Sequence, residues 1–401
     1  MVETPTLDYT PVLDEIIGET GFAYLSLARE AARRGLRVIS FGIGQPDYVT
    51  PTHIREAAKR ALDEGFTGYT ETAGIPELRE AIAWYLNNRY GAGVDPEEVI
   101  VTTGAKTAVF MGLAAYVRPG DEVIIPEPSY YAYAQVVKLF GGRPRFVPMK
   151  FTPGVGFELD VEAIEDAVTG STRAIVVTNP HNPTGAVFSP GQVEAIYELA
   201  RRRGLVVVVD EIYDNFVYDA GFKSFLSFSD WRDNIVYING FSKTFSMTGW
   251  RLGYIVARRE VVPKLVDLAV TLYSCAPSFA QKAAVEAIRG DWGPVEEMVR
   301  EFSARASLLA SLLEDVKGFE SYKPQGAFYM FPRVSGLLAR MGATAEEMVK
   351  RLLFTKGVLL LPGSSFPDKA GVEFVRFSFA TSRRNIMEGV ERIREFVEEY
   401  Y

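Results

Sequence analysis

Cysteine is almost missing from this chain: Cys275 is the only one in 401 residues, so no intramolecular disulfide can form. Histidine is nearly as scarce, with only His53 and His181, which leaves at most a sparse metal site and no Cys–His pair close in sequence. No apolar run reaches the ~18 residues of a membrane-spanning helix, so no membrane span is expected. The first residues, Met1-Val-Glu-Thr-Pro5, carry neither the basic nor the apolar stretch of a secretion signal. Positive charge is in deficit, 43 Lys and Arg against 51 Asp and Glu. The resulting net charge of −8 argues against a nucleic-acid partner. Internal repeats and low-complexity tracts are also lacking. The expectation is a cytoplasmic protein.

What is present is a large apolar fraction, 48% of residues, enough for a sizeable core. The length suggests two to three domains at about 150 residues each. Helical periodicity predicts helices over 20–34, 52–64 (with Thr50 or Thr52 as cap), 75–90 and from Gly104 to about 117. Short apolar strands are predicted at 99–103, 121–125, 143–147, 174–178, 205–209 and 234–238. The uninterrupted run Leu205-Val-Val-Val-Val209 has no polar face, so it belongs in a sheet covered on both sides, as mainly parallel sheets are. Beyond residue 290 the pattern changes to a long helix at 294–313, strands at 326–331, 358–361 and 373–377, and a C-terminal helix. A division follows into a large domain, 48–290, and a smaller α+β domain made of 1–47 and 291–401.

The peptide Asn239-Gly-Phe-Ser-Lys-Thr-Phe-Ser-Met-Thr-Gly-Trp-Arg-Leu-Gly-Tyr254 holds the most chemistry. Lys243 sits among small, hydroxylic and aromatic neighbours, with no other charge until Arg251 eight residues on. An amine so surrounded is desolvated, loses its proton readily and can form a Schiff base with a carbonyl. Pyridoxal 5'-phosphate (PLP) uses that chemistry widely, and its phosphate suits an arginine. Ligands of open α/β sheets bind beyond the carboxyl ends of the strands. There the sequence has Gly104-Ala105-Lys106 opening a helix, Asn179-Pro-His-Asn-Pro-Thr-Gly185 and Asp210-Glu-Ile-Tyr213. A helix start suits a phosphate. A carboxylate suits a pyridine nitrogen, and asparagine and tyrosine can donate to a ring oxygen.

These segments resemble the fold-type I, class I/II PLP-dependent aminotransferases. The resemblance rests on Gly44-Gln-Pro-Asp47, Tyr69 with 74–82, Pro126-Glu-Pro-Ser-Tyr130, Asn182-Pro-Thr-Gly185, Asp210-Glu-Ile-Tyr213, Ser242-Lys243, Arg251 and Arg376-Phe-Ser-Phe-Ala380. It implies an α/β fold in which a large domain holds a mainly parallel seven-stranded sheet between helices, beside a smaller α+β domain. It also implies roles. Lys243 would carry PLP as a Schiff base and shuttle a proton between the substrate Cα and the cofactor. Asp210 would face the ring nitrogen, Asn182 and Tyr213 the ring oxygen, and Tyr130 the ring face. Arg251 and the backbone N–H groups of Ala105 and Lys106 would hold the phosphate, and Ser242 would be a further cofactor contact. Tyr69 would reach the phosphate of a neighbouring subunit, implying a homodimer with shared active sites. Arg376, with Asn182 and the N–H of Gly44, would grip the substrate α-carboxylate. One departure is Gly240, three before Lys243, where many relatives carry a hydroxyl side chain.

The implied reaction moves an amino group between amino acids and 2-oxo acids by a ping-pong route. Lys106 points to dicarboxylic substrates, because a lysine here helps bind the distal carboxylate in the bacterial aspartate aminotransferases that this chain resembles. The stretches 41–47, 210–218 and 230–233 resemble the archaeal aspartate aminotransferases in particular. An aromatic or broad-specificity aminotransferase and a PLP lyase of the same fold stay open as alternatives. A DNA-binding regulator and a non-enzymatic nucleotide-binding protein fit less well, the first for want of a DNA-binding segment and basic charge.

Overall fold

The structure, a computed structural model, describes residues 10–18, 20–367 and 369–401. Its strands run in chain order as β1 Ile39–Ser40, β2 Val99–Thr102, β3 Glu122–Glu127, β4 Arg143–Pro148, β5 Lys150–Thr152, β6 Gly156–Glu158, β7 Thr172–Thr178, β8 Val206–Asp210, β9 Ile235–Gly240, β10 Gly253–Val256, β11 Tyr329–Met330, β12 Val358–Leu359, β13 Leu361–Pro362 and β14 Val375–Ser378. Seven of them form the central sheet, ordered β2-β10-β9-β8-β7-β3-β4. Strands β9, β8, β7, β3 and β4 pair in parallel, and β10 lies antiparallel to both β2 and β9.

The valine run of β8 works as its composition requires. Val207 and Val209 pack into one apolar cluster, Val206 and Val208 into another on the opposite face. Such alternation buries both sides of the strand. Registers then align the strand ends. Thr178 of β7 lies beside Asp210 of β8, which lies beside Ile238 of β9. Helix boundaries follow local chemistry too. The helix Pro76–Tyr90 starts on proline and ends at Gly91 with φ 64°, a left-handed turn that costs glycine little.

Four details differ from the sequence expectations. The helix Thr52–Asp63 has Pro51 at its cap position with no side-chain cap; the Thr50 hydroxyl instead donates to the Ser246 carbonyl at 2.7 Å. The run 358–361 is not one strand, since β12 and β13 join different sheets across Leu360. The strand expected at 326–331 shrinks to β11. The seventh strand of the central sheet is β10, which begins within the Gly- and aromatic-rich peptide around Arg251.

After the large sheet, β11, β14 and β13 make a three-stranded antiparallel sheet, while β1 pairs in parallel with β12. The N-terminal stretch is thereby tied to the C-terminal part: Phe41 N–H donates to Leu359 O at 2.8 Å, and Ser378 N–H to Phe41 O at 2.7 Å.

Next to Asp210 along the chain, Glu211 is fully buried and accepts from the Ser224 hydroxyl at 2.6 Å and from Phe225 N–H at 3.0 Å. Burial outweighs these bonds and pushes its pKa up to about 8. From the ordinary 4.5 up to about 8, the folded chain therefore holds a proton that the unfolded chain has released. That contribution to stability is complete below the lower value and is lost as pH rises through the upper one. Glu211→Gln should accordingly unfold a few degrees above the unmodified protein at pH 9 (on the order expected for about 1–2 kcal/mol). The gap should close or reverse at pH 5, as measured by thermal unfolding of the cofactor-free protein. A gap independent of pH would contradict the assignment.

Candidate active site

A cavity of about 520 Å³ opens at the carboxyl ends of β7, β8 and β9. Eleven of the twelve residues expected at the site line it: Gly44, Ala105, Lys106, Tyr130, Asn182, Asp210, Tyr213, Ser242, Lys243, Arg251 and Arg376. They come from positions spread over more than 330 residues of chain, so only the fold brings them together. Tyr69 is the exception; it is 91% exposed and lies away from the cavity.

Asp210 ends β8 at the floor of this cavity and is only 7% exposed. Its Oδ1 accepts from Ile212 N–H at 3.1 Å and its Oδ2 from the Tyr133 hydroxyl at 2.9 Å. Among the described residues no cation lies within ion-pair distance of it. Burial pushes its pKa up to about 6, against the opposing pull of those two hydrogen bonds and of the Lys243 charge.

Lys243 is half-buried, and its Nζ donates to Gly44 O at 2.6 Å. The peptide that carries it is tightly bent. Ser246 and Arg251 both take left-handed backbone conformations, with φ of 53° and 55°, which side-chain-bearing residues seldom adopt. Arg251 is turned so that its guanidinium packs against Gly104, just before the helix Ala105–Ala114, and donates to Thr248 O at 2.8 Å. Gly104 has φ 91°, and a Cβ there would collide with that guanidinium. A helix start and an arginine are thus held side by side over an uncapped first turn.

Arg376, on β14, is buried. It donates to Gly42 O at 2.6 Å and to Asn182 Oδ1 at 3.2 Å, and its guanidinium lies 4.6 Å from the centre of the Tyr329 ring and 4.8 Å from that of Phe366. Tyr213 and Tyr329 share a hydroxyl–hydroxyl hydrogen bond of 2.8 Å. Lys106, exposed at the rim, donates from Nζ to the Tyr131 hydroxyl at 2.9 Å.

Four residues here escaped the sequence: Tyr131, Tyr133, Tyr329 and Phe366 line the cavity as well. The run Tyr130-Tyr-Ala-Tyr133 held a usable signal, since residues three apart fall on one face of a helical turn. Tyr329 and Phe366 offered none, being ordinary apolar-run aromatics until Arg376 is placed beside them. Gly240 does not line the cavity. A Cβ there would meet Gly253 Cα, Leu252 O and Ile212 at 3.0–3.2 Å, so the close approach of β9 and β10 accounts for the missing hydroxyl.

The sequence pattern of the family described as aminotransferase class I and II matches residues 37–393. The chain belongs to the class I and II aminotransferases. It is 46% identical to an aspartate aminotransferase of Sulfurisphaera tokodaii, over 98% of each chain. It is similar in structure to an aspartate aminotransferase of Thermotoga maritima, with a TM-score of 0.90 and 36% identity, covering 97% of this chain and 100% of the other. An aromatic aminotransferase of Pyrococcus horikoshii is also similar, with a TM-score of 0.86 and 39% identity over 93% and 99% of the two chains.

Aminotransferases of this class depend on PLP and act on amino acids and 2-oxo acids. The cavity fits that cofactor on two counts. A buried carboxylate with no ion pair to it among the described residues suits a protonated ring nitrogen, and the uncapped helix start beside Arg251 suits a phosphate. Gly104→Ala should weaken retention of PLP at least about tenfold, because the new Cβ must displace the Arg251 guanidinium (loss of a charge-assisted contact). Fluorescence titration of the cofactor-free protein measures this; unchanged retention would contradict the cradle.

Proposed function

We propose that this aminotransferase exchanges the amino group of L-aspartate with 2-oxoglutarate, giving oxaloacetate and L-glutamate by a ping-pong route. The observation that carries the substrate is the sharing of one cavity by two separate cations, Arg376 and Lys106. A dicarboxylic substrate needs both. The α-carboxylate would take the fork of Arg376, with Asn182 and Gly44 beside it, and the distal carboxylate would take Lys106. Similarity to relatives named aspartate aminotransferase supports this choice.

When bound, PLP supplies an aldehyde carbon that links to amines and an electron-withdrawing ring. The residues of this chain do the rest. Lys243 would hold the cofactor and then move a proton at the substrate Cα, from a cavity whose neighbours limit its contact with water. Asp210 would hold the proton of the ring nitrogen, Asn182 and Tyr213 would donate to the ring oxygen, and Tyr130 would cover the ring. Arg251, Ser242 and the N–H groups of Ala105 and Lys106 would bind the phosphate.

We read the chain as two domains, 48–290 and 1–47 with 291–401, on the strength of the β1–β12 pairing. Residues 1–9, 19 and 368 lie outside the described residues. We also read the enzyme as a cytoplasmic homodimer. Tyr69, exposed and away from its own cavity, supports a role in the partner's site. The aromatic alternative has its own support: Tyr130, Tyr131, Phe366 and Leu25 give the cavity an apolar wall that a substrate ring could use.

Lys106→Met separates these readings. It should lower kcat/KM for aspartate and glutamate roughly 10- to 100-fold, the worth of a charge-assisted hydrogen bond. Phenylalanine and alanine should change by less than about threefold. An equal loss across all four substrates would remove Lys106 from substrate recognition.

A further inference from the structure

Asp210 does not stand alone in its burial. Tyr133, on the helix Ala132–Leu139, is 2% exposed and donates its phenol proton to Asp210 Oδ2 at 2.9 Å. Its oxygen in turn accepts the hydroxyl proton of Thr178, at the end of β7, at 2.7 Å. A phenol has one proton. Because Thr178 donates into Tyr133, that proton is directed at the carboxylate. A donor aimed at Oδ2 favours the charged form of Asp210, as does Ile212 N–H at Oδ1. The two bonds approach different oxygens and fix the plane of the carboxylate.

The same turn of chain serves the cofactor face. The Tyr130 ring meets the Tyr133 ring edge-on, with centroids 5.7 Å apart and planes at 76°. Moving Tyr133 would therefore disturb both Asp210 and Tyr130. The neighbouring polar groups have partners of their own. Lys243 Nζ is bonded to Gly44 O, Tyr213 faces Tyr329, and the buried His181 is bonded through Nδ1 to Thr184 Oγ1 at 2.8 Å.

We propose that Tyr133 is a positioning residue that holds Asp210 ionised and in one plane for the ring nitrogen of PLP, with Thr178 setting the direction of the phenol proton. The proposal rests on the cofactor assignment given above. It acts through the ring nitrogen, so it makes a distinction that a merely structural role does not.

The test compares PLP with 1-deazapyridoxal 5'-phosphate, which carries CH in place of the ring nitrogen. Dissociation constants are measured by fluorescence titration of the cofactor-free protein, unmodified and as Tyr133→Phe, Asp210→Asn and the double variant. Tyr133→Phe should raise the constant for PLP about tenfold (one hydrogen bond to a charged group) and that for the deaza analogue less than about twofold. In the Asp210→Asn background it should add nothing. Equal weakening of both ligands means that Tyr133 only packs the site, and the proposal falls. If Asp210→Asn weakens PLP and Tyr133→Phe does not, the proposal falls while the cofactor assignment stands. If Asp210→Asn also leaves PLP unaffected, both fall.

Discussion

The structure turns on one constraint: a carboxylate, Asp210, held buried at the end of β8 with no ion pair to it among the described residues. Burying an unpaired charge is costly, and proteins keep such groups where a ligand completes them. The five-residue strand that delivers Asp210 is covered on both faces, which makes its position rigid and its solvent access small. Two hydrogen bonds reduce the cost without removing it. A protonated pyridine nitrogen would offset the remainder.

Around this point the fold sets two arginines in different surroundings. One setting is local, a helix start next to Arg251, formed because the peptide after Lys243 bends through two left-handed residues before entering β10. The other is long-range. Arg376 rides on β14, whose sheet partners and neighbouring N-terminal backbone come from opposite ends of the chain. In the function proposed above, the cofactor's phosphate and the substrate's carboxylate would be met by arginines on separate parts of the protein.

How much of this was legible in the sequence depended on whether a residue's meaning was local. The strands with two buried faces were legible because burial leaves continuous apolar runs, as at Val206–Asp210. Strand β10 was not, because glycine, tyrosine and the adjoining arginine have the composition of a turn; its pairing with β2 and β9 overrides that preference. The residues of the candidate site that stand in recognisable segments were all visible, and eleven of twelve meet at one cavity. Tyr133 and Tyr329 were not. Their partners, Asp210 and Tyr213, lie 77 and 116 residues away, a relation carried by no local pattern. The Thr50 hydroxyl looked like a helix cap and instead bonds the strained peptide at Ser246.

A single-turnover experiment tests the central claim most directly. PLP-loaded enzyme is mixed with excess L-aspartate in the absence of any 2-oxo acid, and oxaloacetate is counted. One oxaloacetate per subunit, followed by arrest until 2-oxoglutarate is added, is the result expected of an amino group parked on the enzyme between two half-reactions. No oxaloacetate, or a steady release of product without an acceptor, would contradict the account.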